Sequence, residues 1–237
     1  MRKTVYILAA AAAALTSTIG IAKEAKQSFE YEGSTYVYTS SVENGRQVIN
    51  GRRFPSGQFI RKPDQLDYLQ EPDIFHDVFG HVPMLTDPDF AAYMQAYGQG
   101  GQRAAGLGML QNLARLYWYT VEFGLMQDAD GLRIYGAGIV SSATESVFAL
   151  EDPSPNRLGF DLERVMKTLY RIDDFQQVYF VIDGIEQLKR ETLQDFGPIY
   201  ERQNGAEAIP IETILPTDKV FTRGTQSYAA KGGRFAA

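Results

Sequence analysis

The sequence predicts a mainly α protein with small β elements, built around a single core. Three features point there. Helix starts recur, with Asp87-Pro88 and Asp161 each placing a capping residue ahead of an amphipathic run. Strand signals are few and short. Apolar residues make up 44% and aromatic residues 12% of the 237-residue chain, enough for one core.

In chain order, residues 1–22, MRKTVYILAAAAAALTSTIGIA, join two basic residues to an alanine-rich apolar run and a small-residue finish. That is the plan of a secretory signal peptide. The run is too short, and too broken by Thr16, Ser17, Thr18 and Gly20, for a membrane span. Residues 23–50 alternate aromatic or β-branched with polar side chains and contain Asn44-Gly45, the turn pair of a β-hairpin.

Residues 51–202 make the core. Pro72 opens a short helix there, Asp87-Pro88 start another that runs toward Tyr97 and stops at Gly98-Gln-Gly-Gly, and a long apolar helix follows from Gln102 to Leu125. Gly131 to Tyr135 is a short strand after a turn, and Ser141 to Leu150 a helix. Asp161 caps a helix whose Leu162, Val165, Met166 and Leu169 trace one face. Residues 176–183, QQVYFVID, are the strongest later strand, and Ile185 to Phe196 a further helix. Residues 203–237, rich in Gly, Thr and Ala, form an extended or mobile tail.

Acidic residues outnumber basic ones 29 to 23, a net charge of −6 that argues against nucleic acid and anionic membranes as partners. The absence of cysteine excludes disulfides and thiolate metal sites.

The chemistry concentrates in two segments. The chain has two histidines, His76 and His81, both inside EPDIFHDVFGHVP, and a carboxylate, Glu122, inside LARLYWYTVEFGL. Two imidazoles and one carboxylate are the ligand set of a non-haem Fe(II) oxygenase. Glu122 sits among apolar neighbours, where an unpaired carboxylate is costly and a cation is the economical partner; Arg115 is the other candidate for that role. Positions five apart on an α-helix point roughly 140° away from each other. The helix is therefore expected to bend or end between the histidines, with Gly80 in the left-handed conformation and Val82-Pro83 forbidding its continuation. A His2Glu set also serves catalytic zinc. In the zinc-hydrolase pattern, however, the histidines are four apart with glutamate after the first, whereas Asp77 follows His76 here.

EPDIFHDVFGHVP, LARLYWYTVEFGL and RIYGAGIVSS together resemble the iron-site signatures of the pterin-dependent aromatic amino acid hydroxylases, the bacterial phenylalanine 4-hydroxylases above all. The resemblance runs from about Gly51 to the tail. It implies the hydroxylase catalytic fold, Fe(II) and tetrahydropterin as cofactors, O2 as co-substrate, and hydroxylation of L-phenylalanine to L-tyrosine by a cytoplasmic monomer; the leader-like start would allow export. It implies His76, His81 and Glu122 as iron ligands and Arg61 as the grip on the amino acid's carboxylate, held in place by Asp73. Trp118, Phe123 and Pro83 would wall the ring pocket, Ser141 and Glu145 would lie near the iron and the substrate amino group, and Asp77, Ala114 and Tyr117 would line the pterin side.

Taken alone, these residues have plainer readings. Tyr117, Trp118 and Phe123 are core aromatics, Arg61 is a surface charge, and Asp73 and Asp77 complement a helix start. One departure matters. The glycine- and proline-containing loop that wraps the pterin in the family is not found upstream of NGRRFPSGQFIR. A relative without that loop would bind iron and not turn over, which is the alternative to the hydroxylase reading.

Overall fold

A computed structural model describes residues 25–31, 34–43, 46–49, 59–66 and 72–233; the leader-like segment lies outside them. In backbone terms the front end is a three-stranded antiparallel sheet, β1 (Ala25–Tyr31), β2 (Ser34–Glu43) and β3 (Arg46–Ile49). Glu43 pairs with Arg46, so the β2–β3 hairpin brackets Asn44-Gly45, as the sequence predicts, and β1 adds a strand to it.

The remainder is helical around a second sheet of five short strands, ordered β5-β4-β7-β6-β8. These are β4 (Leu125–Asp128), β5 (Gly131–Ile134), β6 (Asn156–Gly159), β7 (Val178–Ile182) and β8 (Val220–Thr222). β7 is central, parallel to both β4 and β6, and all five of its residues are buried. Val178 and Phe180 join a cluster with Leu113, Leu116, Tyr119 and Met166, while Tyr179 and Val181 pack with Phe123, Leu125, Ile139 and Phe148 on the other face. A strand covered on both faces reads as a continuous apolar run, which is why 176–183 is the clearest strand in the sequence. β4, β6 and β8 are too short to announce themselves. Among the described residues, no helix is long and apolar enough to cross a membrane.

Several helix boundaries differ from the sequence expectation. The helix capped by Asp87 does not stop at Gly98; it runs Pro88–Gly106. Its Tyr93, Tyr97 and Ala104 are buried in the core, and packing of that face outweighs the roughly 1 kcal/mol that each interior glycine costs. Two residues past its end, Gly108, with a φ of 70°, closes the turn while Met109 N–H bonds back to Ala104 C=O at 2.8 Å. The apolar stretch to Leu125 is therefore not one helix from Gln102 but an α-helix, Leu110–Tyr117, running into a π-helix, Trp118–Glu122, and then β4. Asp161 does cap Leu162–Lys167, but Leu169 lies beyond its end, exposed. Nor is the tail loose: Ile209 bridges to Thr168, β8 pairs with β6, and Tyr228 packs on Phe148 and Phe175.

The largest correction concerns Gly80. It is not a left-handed helix end; no break occurs. His76–His81 is a π-helix, with Val82 N–H bonded to Asp77 C=O five residues back, and it passes into a short α turn, Val82–Met84. Bonding from i to i+5 stacks residues five apart, so both imidazoles reach one side without a bend. Glycine is required for a different reason: a Cβ at position 80 would stand 2.8 Å from Ala137 Cβ and 2.9 Å from Ala137 O. Pro83, two residues past the end of the π-segment, is accommodated there on the surface.

Gly80→Ala is expected to destabilise the fold by about 1–3 kcal/mol, the usual cost of overpacking. Urea unfolding of the two proteins measures it, and an unchanged midpoint would show that this contact is not close in solution.

Candidate metal centre

The two π-helices bring two imidazole nitrogens and a carboxylate together. His76 Nε2 and His81 Nε2 are 3.0 Å apart. Glu122 places one carboxylate oxygen 3.5 Å from the first nitrogen and the other 3.3 Å from the second. Donors bound at ~2.1 Å to one ion are separated by about 3.0 Å at right angles and about 3.4 Å in a tetrahedron. The triangle therefore fits a single first-row divalent cation.

A hydrogen bond from outside the cluster orients the His76 imidazole. Ser141 Oγ is 2.8 Å from His76 Nδ1 and also donates to Gly138 C=O at 3.3 Å, which leaves it to accept from the Nδ1–H. The His76 Nε2 lone pair then faces Glu122 and His81, the tautomer a metal ligand needs. Burial pushes the His76 pKa down, with His81 and Arg61 adding to that and Glu122 not making up the difference. Burial works against a charge on His81 as well, but Glu122 outweighs it and raises the pKa. For Glu122 burial favours the neutral form, yet the two imidazoles and the Tyr117 hydroxyl hold its carboxyl down at about 2. The cluster thus keeps an ionised carboxylate and at least one neutral imidazole at neutral pH.

Arg61 and Asp73 stand beside the triangle, both with buried side chains. Arg61 Nε and one terminal nitrogen grip the two oxygens of Asp73 at 2.9 and 2.8 Å, and the other terminal nitrogen donates to Ser141 C=O at 2.5 Å. Of a guanidinium's five N–H donors, one on each terminal nitrogen remains. Asp73 also accepts from the backbone N–H of Arg61 and of His76. Burial opposes its charge, but Arg61 and these bonds hold the Asp73 carboxyl far below the usual carboxylate range. Ser141 and Asp73 therefore each join Arg61 to His76.

The other sequence-singled residues fall around this cluster in different settings. Tyr117, five positions before Glu122, hydrogen-bonds its carboxylate. Asp77 is buried with a carboxylate oxygen within 4.8 Å of the imidazole nitrogens. Trp118 packs on Phe123 at 4.7 Å between ring centres. Ala114 is buried one turn before Trp118, whereas Pro83 is exposed. Glu145 lies deeper than its proximity to Ser141 in the sequence implies, accepting from Tyr179 OH at 2.8 Å and from Gln176 N–H at 3.3 Å. The close-packed segment Gly136-Ala137-Gly138 seats Ser141 here: a Cβ on Gly136 would meet Glu122 C=O at 2.4 Å. Sequence reasoning missed Gln176, Tyr179 and Tyr170. Two glutamines directly ahead of a fully apolar strand were the available signal, since buried amides demand partners.

Two imidazoles and a carboxylate converging on one point are the donor set of a mononuclear non-haem oxygenase centre. Comparison with known proteins narrows the class. A sequence profile of the biopterin-dependent aromatic amino acid hydroxylases matches residues 41–208. The phenylalanine-4-hydroxylase of Caulobacter vibrioides is 76% identical over 188 residues, 79% of this chain and 64% of that protein. Its counterpart in Ralstonia nicotianae is 51% identical over 225 residues, 89% of this chain and 71% of that one. The iron- and phenylalanine-bound crystal structure of phenylalanine hydroxylase from Chromobacterium violaceum is similar with a TM-score of 0.67 and 54% identity, covering 72% of this chain and 61% of that one. The chain belongs to the biopterin-dependent aromatic amino acid hydroxylase family. It spans just under two thirds, 64%, of the Caulobacter relative's length.

His76→Ala and Glu122→Ala are each expected to abolish stoichiometric Fe(II) binding, and Ser141→Ala to weaken it about 10- to 100-fold; metal analysis after dialysis distinguishes the three. The raised His81 pKa gives a pH dependence. Its proton stabilises the metal-free protein at low pH, a contribution lost as pH rises through the raised value, and a metal must displace it. Fe(II) affinity should therefore fall as pH drops, beginning above the ordinary imidazole value of 6.5; affinity flat down to pH 6 would contradict this.

Proposed function

We propose that this protein hydroxylates L-phenylalanine to L-tyrosine with Fe(II), a tetrahydropterin and O2. The observation that carries the reading is the His76, His81 and Glu122 triangle beside an Arg61 guanidinium held by Asp73, in a chain of this family. Fe(II) held by His76, His81 and Glu122 would supply dioxygen activation, and a reduced pterin would supply the two electrons needed beyond those that come from the ring.

The side chains bind and orient. Arg61, anchored on one edge by Asp73, offers its two remaining terminal N–H groups to the substrate carboxylate, a planar pairing that a lysine cannot reproduce. Trp118 and Phe123, with Pro83, provide flat apolar surface for the aromatic ring. Ser141 keeps His76 in its metal-binding tautomer, and its carbonyl ties Arg61 to the same loop. Glu145 braces the helix that follows Ser141. Asp77, Ala114 and Tyr117 make the pterin side, with Tyr117 holding Glu122 by hydrogen bonding. The same reading makes the protein a cytoplasmic monomer, which cell fractionation and light scattering test.

Tyrosine formation by the Fe(II)-loaded protein should require both tetrahydropterin and O2. Metal bound at one per chain with no pterin-dependent turnover would identify a disabled relative instead. Arg61→Lys keeps a charge against Asp73 but removes the fork, and should raise KM for L-phenylalanine about 10- to 100-fold with metal content unchanged; an unaltered KM would refute the carboxylate grip.

A further inference from the structure

Trp118 is the one tryptophan in the chain, and its environment is unusually determined. Its ring packs against Phe123 at 4.7 Å and stacks on Tyr170 at 4.5 Å. Its indole N–H, a donor with no alternative role, bonds to Gln176 Oε1 at 3.0 Å. Gln176 is 1% exposed and comes from the loop before β7, 58 residues further along the chain.

The Gln176 amide cannot turn over. Its oxygen faces two N–H donors, Trp118 Nε1 and the backbone of Arg171 at 3.4 Å. Its nitrogen faces two carbonyls, Arg171 O at 2.8 Å and Asp174 O at 3.3 Å. A flipped amide would set donors against donors and acceptors against acceptors, so all four contacts fix one orientation. The backbone N–H of the same residue donates to Glu145 at 3.3 Å. The loop is itself anchored, since Asp174 accepts from Tyr228 OH at 2.8 Å. Gln176 thus ties the π-helix that carries Glu122 to the helix that follows Ser141.

We infer that Gln176 is a positioning residue: by holding the indole N–H it sets the plane of Trp118, and through that ring the width of the aromatic pocket and the preference for a phenyl over an indole substrate. This rests on the hydroxylase reading for the identity of the pocket, while the restraint on the indole stands on the hydrogen bonds alone. A buried acceptor of fixed orientation does what stacking cannot, because stacked rings slide at little cost whereas a hydrogen bond weakens steeply when misdirected.

The test compares the full-length, Fe(II)-loaded protein with Q176L and with a form carrying 3-benzothienylalanine at position 118, where sulfur replaces only the indole N–H. In Q176L the emission of the lone tryptophan should shift to the red and its anisotropy fall. In both variants the kcat/KM ratio of L-phenylalanine to L-tryptophan should drop about tenfold, the equivalent of one hydrogen bond. KM for L-phenylalanine should rise more than kcat falls, and combining the two changes should add nothing further. Should Q176L fail to fold, the benzothienyl protein decides alone. A variant with lower stability but unchanged emission and unchanged substrate ratio would overturn the inference and leave Gln176 a structural residue. If the unmodified protein shows no turnover, the hydroxylase reading fails separately. Emission, anisotropy and calorimetric binding of L-phenylalanine and L-tryptophan then decide on Gln176, with an unshifted binding ratio counting against it.

Discussion

Everything at this site depends on one departure from α-helical geometry. An α-helix cannot present residues five apart to the same ion, yet a π-helix does so without a bend. Among the described residues the device is used twice, at His76–His81 and at Trp118–Glu122. The second places Tyr117 and Glu122 on one face, so that the tyrosine hydroxyl reaches the carboxylate. A π-turn is held in place only where surrounding structure compensates for its poorer backbone packing. Close approach at Gly80 and Gly136 supplies that, locking the loop before Ser141 against both π-helices.

Burial then sets the electrostatic terms. Two imidazoles and two carboxylates, His76, His81, Asp73 and Asp77, are all nearly excluded from water. Isolated charges there would be untenable. The structure answers by division of labour: Asp73 is neutralised by Arg61, while Glu122 is left to face the imidazoles. Ser141 links the two halves, bonding His76 with its hydroxyl and Arg61 with its carbonyl. The orientations of the His76 imidazole and the Arg61 guanidinium are consequently coupled through one residue, and further out Gln176 joins Trp118 to Glu145.

The sequence made the donor set legible because histidine is scarce in this chain and both copies fall in one thirteen-residue segment. It also showed β7, whose burial on both faces leaves a continuous apolar run, and the caps at Asp87 and Asp161. It misled where tertiary contacts override local preference. Gly80 has the look of a helix stop and is instead a point of close packing; the glycines at 98–101 sit inside a helix because its tyrosines are buried. The extra residue of a π-turn has no compositional signature, so the long helix through Trp118 concealed its own break. Gln176 was invisible for a related reason, since apart from Asp174 its partners lie 5, 31 and 58 residues away. The roles proposed for Arg61, Trp118 and Asp77 rest on family resemblance and not on their local pattern.

The central claim is that His76, His81 and Glu122 converge on one ion. Anomalous diffraction from crystals grown with Fe(II) tests it most directly. The account predicts a single iron peak at ~2.1 Å from His76 Nε2, His81 Nε2 and a Glu122 oxygen. A peak displaced onto Asp77, with Glu122 outside bonding distance, would contradict it.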